Sequence, residues 1–167
     1  MVEIQFEKAK EVDIPELTRI MKRSFDDDSE RFLGKPEGGP EGYNDGSFLQ
    51  RWGFSDEGGD CYKIVTDTNK AIGAFILFLP PSGNNVLGTI FIDPAYQDKG
   101  IGTQALQFIF STFPGKRWRL DTPEWTTRNH HFYEKFGFKK IQEVWEPHLK
   151  GEEGGGYLWV FEKIVEP

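Results

Sequence analysis

The sequence predicts an α/β protein built on a mixed sheet, and three observations carry that expectation. Runs with every second residue apolar alternate with runs of helical apolar spacing. Three strand-like runs between Cys61 and Ile92 have joins too short for a crossover helix, so they pair as an antiparallel meander. Beyond Ile92 the chain switches to alternating helices and strands. The expected order is β-α-α-β-β-β-α-β-α-β-β, a mostly antiparallel sheet flanked by helices.

Each element has a local cause. Val2, Ile4 and Phe6 alternate with polar residues, as in a strand with one buried face. Asp13-Ile14-Pro15-Glu16 reads as a capping box with proline in the first turn, and Ile14, Leu17, Ile20, Met21 and Phe25 continue a helix to about Phe25. From Asp26 to Gly46 the chain is rich in Gly, Pro and acid, which predicts a long functional or solvated loop. Ser47–Trp52 predicts a short helix. Cys61–Thr66, Ala71–Leu79 and Val86–Ile92 are the strands of the meander, joined at Asp67–Lys70 and Pro80–Asn85. Ile101–Phe113 is a helix stopped by Pro114-Gly115, Arg117–Thr122 a strand, and Thr127–Phe136 a helix ending at Gly137. Phe138–Val144 and Tyr157–Val165 close the sheet around Gly154-Gly155-Gly156.

Composition narrows the function classes. The 167 residues suit one domain, 1–167, with enough chain to bury a core. Twenty Lys and Arg face 27 Asp and Glu, a net charge of −7, which argues against nucleic acid as a partner. The single cysteine, Cys61, excludes an intramolecular disulfide and a cysteine-based zinc site, in keeping with a cytoplasmic location. Met1-Val2-Glu3-Ile4-Gln5 lacks the basic start of a signal peptide, and the longest apolar run, Ala71–Pro81, is too short to span a bilayer.

The chemistry concentrates in Val86–Thr103. A strand leads through a tight loop to a helix whose first residues are Gly100-Ile101-Gly102-Thr103. Unpaired amides in a first helical turn, at the positive end of the helix dipole, favour an anion such as a phosphate. Gly100–Ala105 also fits G-x-G-x-x-A, and Asp121 falls near the place of a ribose-binding acid, so an NAD-type site is a rival. Against it, Asp93–Lys99 separates the strand from the first glycine, the preceding strands form a meander, and too little chain follows for a doubly wound sheet.

Gln97-Asp98-Lys99-Gly100-Ile101-Gly102 resembles the Q/R-x-x-G-x-G/A pyrophosphate loop of the GNAT superfamily of N-acetyltransferases, and Asp93-Pro94-Ala95-Tyr96 resembles its lead-in. His131-Phe132-Tyr133-Glu134-Lys135-Phe136-Gly137-Phe138 resembles that family's second signature, F/L-Y-E-K-x-G-F. The resemblance implies acetyl-CoA as cosubstrate, with no metal. It implies that the matching strand and the next splay apart around the pantetheine arm. Backbone groups near Phe91 and Ile92 then pair with that arm and the thioester. Gln97, Asp98, Lys99, Gly100, Ile101, Gly102 and Thr103 form the pyrophosphate site.

Tyr133 takes the place of the family's general acid, and a phenol protonated at neutral pH suits a departing thiolate. For the base, the resemblance offers Asp121, twelve residues before Tyr133, with Glu124 in the next loop as a second candidate and a water relay as a third. Many members carry an asparagine seven residues before the tyrosine; here that place is Thr126, while Asn129 lies four before, so either can meet the arm. His130 and His131 are adjacent on one helix and point apart, a poor metal pair, and are expected at the surface or lining the site.

Family acceptors are amines of small molecules, peptides and proteins, and the family often forms dimers. Asp26, Asp27, Asp28 and Glu30, with Tyr43, Trp52 and Phe54 and with Trp125 opposite, are expected on the acceptor side, where acids among aromatics suit a small cationic amine or a peptide amine. A non-catalytic CoA-binding regulatory module is the main alternative. No membrane is expected as a partner.

Overall fold

The computed structural model describes residues 2–149 and 154–165. Its strands are β1 (Ile4–Lys8), β2 (Asp60–Thr66), β3 (Ala71–Phe78), β4 (Asn84–Ile92), β5 (Arg117–Pro123), β6 (Lys139–Glu146) and β7 (Gly156–Ile164). Its helices are α1 (Ile14–Leu33), α2 (Ser47–Phe54), α3 (Ile101–Thr112) and α4 (Thr127–Lys135). The order matches expectation, and most boundaries shift by only a residue or two. The β6–β7 connection, with its glycine run, lies partly outside the described residues.

The strands form one sheet in the order β1-β2-β3-β4-β5-β7-β6. β1 to β4 are antiparallel neighbours, as are β5 with β7 and β7 with β6. Among the described residues only β4 and β5 run parallel, and they pair only through Asn84, Asn85 and Val86 against Arg117, Trp118 and Arg119. Past Val86 the two strands part.

Alternation along the strands builds two cores, one on each sheet face. On β3, Phe75 and Leu77 join Ile101, Leu106 and Ile109 of α3, Trp118 and Leu120 of β5, and Tyr133 of α4. Ala74 and Ile76 point the other way, to Leu17, Ile20 and Met21 of α1 and Leu49 of α2. Burying Phe75 or Trp118 contributes roughly 2–3 kcal/mol each before entropy is counted. The site-bearing segments β4, the loop after it, α3 and α4 are thereby fixed by the first core, and α1 by the second.

Helix α1 runs through Asp26-Asp27-Asp28 to Leu33, correcting the loop expected from Asp26 to Gly46. Acidic composition suggested a loop, but no breaker intervenes before Gly34, whose φ of 69° ends the helix in left-handed geometry. Ion pairs one turn apart, Lys22–Asp26 and Arg31–Asp27, support the extension. The N-terminus differs too. Asp13 does not cap α1 with its side chain; its carboxylate accepts instead from the Lys10 amide at 2.8 Å and from Lys63 at 3.2 Å.

Candidate active site

The parting of β4 and β5 creates the central feature. Leu87–Ile92 keeps β3 on one edge, Leu120–Pro123 keeps β7 on one edge, and among the described residues the edges facing each other across the gap have no strand partner. A register shift in β4 opposite Ile76 and Leu77 accompanies the change.

β4 delivers the chain to a turn held from both sides. Asp93 is buried; its Oδ1 accepts from the Ala95 amide at 3.0 Å and its Oδ2 from Arg23 of α1 at 2.6 Å. Burial opposes ionisation of Asp93, but Arg23 and the Ala95 amide outweigh it and hold the carboxyl below its ordinary range. Gln97 is extended and Asp98 follows at φ 59°, the pattern of a type II turn. Gly100 continues at φ 77°, a conformation costly for any residue with a Cβ. Among the described residues the amides of Gly100 to Thr103 have no acceptor of good geometry. Nothing lies within 4 Å of where a Gly100 Cβ would be, so the space above the loop is open. A Cβ on Gly102 would instead lie 3.1 Å from Cζ of Phe132, so this glycine also lets α4 pack onto α3.

Helix α4 places Tyr133 in the first core, in the cluster with Trp118 and Leu120 of β5. Its ring is buried against Phe132 and Phe138, and its hydroxyl makes no hydrogen bond among the described residues. Burial, then the charges of Asp28 and Asp121, push its pKa up, so the resting phenol is fully protonated. Asp121 points from β5 to the face opposite Leu120 and Thr122. It is accessible to solvent, yet the surrounding protein takes away part of its water, and this burial raises its pKa. Asp28 is half-buried, and burial, reinforced by Asp27 and opposed by Arg128 and Arg31, pushes it up to about 6.

The model of the acetyltransferase (GNAT) family matches residues 16–138 of this chain. The chain belongs to the GNAT family of acetyltransferases. The uncharacterised protein YrkN of Bacillus subtilis strain 168 is 30% identical over 145 residues, covering 85% of this chain and 76% of the relative. The ribosomal-protein-S18-alanine N-acetyltransferase of Escherichia coli has a similar fold, with a TM-score of 0.75 at 14% identity over 98% of this chain and 95% of that one. So does the spermidine N-acetyltransferase of Vibrio cholerae, solved in complex with CoA and spermine, with a TM-score of 0.69 at 15% identity over 97% and 95%.

As a GNAT acetyltransferase the chain is an enzyme of acyl transfer, and its residues fit acetyl-CoA, the family's cosubstrate. Open space over Gly100 and unpaired loop amides suit a diphosphate, and two unpartnered strand edges suit an amide-bearing arm. The dinucleotide alternative for Gly100–Ala105 lacks its doubly wound parallel sheet: among the described residues β4 and β5 are one parallel pair in an otherwise antiparallel sheet, and they part past Val86. Among the described residues no helix is long and apolar enough to cross a membrane.

Several expected residues have other duties. Glu124 accepts from the Tyr157 amide at 2.6 Å and donates its own amide to the Tyr157 carbonyl at 2.9 Å, which fastens β5 to β7. The Thr126 hydroxyl turns back to the Pro123 carbonyl at 2.8 Å, whereas the Asn129 side chain makes no hydrogen bond among the described residues. His130 corrects an expectation: it is a core residue, stacked on Trp159 at 4.4 Å with Nε2 3.1 Å from the Pro123 carbonyl, and burial lowers its pKa. His131 is exposed.

The acceptor side is also redistributed. Helical rotation gives the three consecutive acids three different settings. Asp26 accepts from Lys22, the Tyr43 hydroxyl and the Gly38 amide, Asp27 from Arg31, and of the three it is the charge of Asp28 that acts on Tyr133. Tyr43 is buried, Trp52 packs edge-on against Phe78, and Phe54 joins the second core, so these aromatics hold α1 and α2 on the sheet. Sequence reasoning missed Arg128, which donates to Gln97 at 3.0 Å and Asp98 at 2.7 Å. A cation two residues into a helix beside an anion-binding loop was the signal available.

Proposed function

We propose that this protein transfers an acetyl group directly from acetyl-CoA to a cationic primary amine, borne by a small molecule or a peptide, with 1–167 acting as one catalytic domain. The parted strands β4 and β5, with the amide-lined loop at the end of β4, are the observation that supports this most. Backbone groups of Phe91 and Ile92 pair with the arm, and the loop from Gln97 to Thr103 takes the diphosphate. Asn129, with an uncommitted side chain, serves the pantetheine side in place of the occupied Thr126.

In the reaction, Asp28 draws the ammonium to the gap and Asp121 takes one proton from it. The freed amine attacks the thioester carbon, the C–S bond breaks, and Tyr133 gives its proton to the thiolate. The nitrogen loses its second proton as the amide forms, which restores the phenol. The charges help in sequence. Asp28 and Asp121 add to burial in holding the Tyr133 pKa up, each only while it is anionic. An ammonium beside one and a proton on the other cancel that part of the shift, so the phenol becomes a better acid as the thiolate leaves. Simultaneous binding of both substrates supplies proximity.

The test is thiol release from acetyl-CoA across a panel of polyamines, small amines and peptides, with mass spectrometry of the products. Acetylated amine with matching thiol release is expected. CoA binding without turnover on any amine would favour the regulatory-module alternative.

A further inference from the structure

Arg128 is the second residue of α4, and its guanidinium spans the turn that precedes the phosphate loop. One nitrogen donates to Oε1 of Gln97 at 3.0 Å and the other to Oδ1 of Asp98 at 2.7 Å. Asp98 is an awkward neighbour for an anion site. Its side chain is 83% exposed, it sits at φ 59°, and it stands two residues before the first of the unpaired amides. A diphosphate at those amides meets repulsion from this carboxylate unless a cation stands between them. Arg128, with its side chain 35% exposed, is the cation paired with that carboxylate.

We propose that Arg128 is a phosphate-binding residue, held on Asp98 and Gln97 in the free protein and transferred to the diphosphate of the cosubstrate. The guanidinium has five donors in a fork, and two contacts leave others unused. A diphosphate offers more charge and more acceptors than one well-hydrated carboxylate, so it wins the fork when it arrives. Asp98 thus acts as a placeholder that keeps a flexible side chain at the loop. Gln97 keeps the arginine in register with the turn. This inference rests on the acetyl-CoA reading above and assigns a ligand contact to α4 in addition to the loop.

The experiment is titration of the 167-residue protein and its Arg128→Gln, Arg128→Lys and Asp98→Asn variants with CoA, 3′-dephospho-CoA and, by competition, pantetheine. Arg128→Gln should weaken CoA and dephospho-CoA alike by about tenfold or more, while pantetheine, which lacks the diphosphate, changes less than about twofold. Arg128→Lys should recover part of the loss. Asparagine tolerates the backbone of residue 98, so Asp98→Asn keeps the turn and should tighten CoA several-fold by removing the competitor. Equal weakening of all three ligands by Arg128→Gln, no weakening, or weaker CoA binding by Asp98→Asn would reduce Arg128 to a structural clip and overturn the proposal. If Arg128→Gln fails to fold, Asp98→Asn decides alone. Wild-type protein that binds no CoA would overturn the acetyl-CoA reading itself, a separate outcome.

Discussion

Arg23 donates to Asp93 at 2.6 Å, and this contact ties α1 to the turn that begins the phosphate loop. Asp93→Asn should destabilise the protein by about 1–2 kcal/mol at pH 7, modest because Arg23 is half exposed. The sign of the pH effect follows from the depressed carboxyl pKa. The stabilisation is complete above the ordinary carboxylate value of about 4 and is lost as the pH falls through the lower folded value. Denaturant midpoints of wild type and variant should therefore converge as the pH is lowered below about 4.

Tyr133→Phe should reduce kcat by about a hundredfold, the usual scale for a general acid, while CoA affinity changes little. Thiol-release kinetics paired with CoA titration check both halves. Unchanged thiol release with a competent amine would remove Tyr133 from the chemistry.

Asp28 and Asp121 should separate kinetically. With Asp28 titrating near pH 6, its anion and the pull on an ammonium are lost below that value, so KM for the amine should climb as the pH drops through about 6. Asp28→Asn should raise KM for the amine and flatten that dependence. Asp121→Asn should lower kcat with a smaller change in KM.

The two loop glycines should fail differently. Gly100→Ala meets no neighbour within 4 Å but must hold a φ of 77°, so it pays about 1–2 kcal/mol of backbone strain and little else. Gly102→Leu drives into Phe132 and should both lower Tm and weaken CoA. Thermal melts with and without CoA distinguish the two.

Cys61 should play no part in acyl transfer. It is fully buried between α2 and the sheet, and burial pushes its thiol up to about 12. An aromatic disulfide reagent should leave the native protein unlabelled and label it after denaturation, and Cys61→Ala should keep its turnover.

The order of elements was legible because strand and helix periodicity is local, and the loop and α4 signatures pointed to the same site. Orientation was not. Asp26, Asp27 and Asp28 read as one acidic run, yet a helix turns each by about 100°, so Asp26 meets Tyr43, Asp27 meets Arg31, and the charge of Asp28 is the one that acts on Tyr133. Glu124 was a sound base candidate by position, but its carboxylate is committed to Tyr157 by a pairing that joins residues 33 apart. His130 looked superficial because its stacking partner, Trp159, lies on a strand distant in sequence. Arg128 escaped notice for the same reason.

The gap between β4 and β5 has a consequence for the protein's own survival. Two strand edges in the middle of a sheet are templates for any extended backbone, a hazard that proteins usually confine to the periphery and blunt with charge. An arm that seats there stands in for the missing strand. Cosubstrate levels should then govern how readily this protein self-associates during heating or storage, quite apart from how fast it turns over.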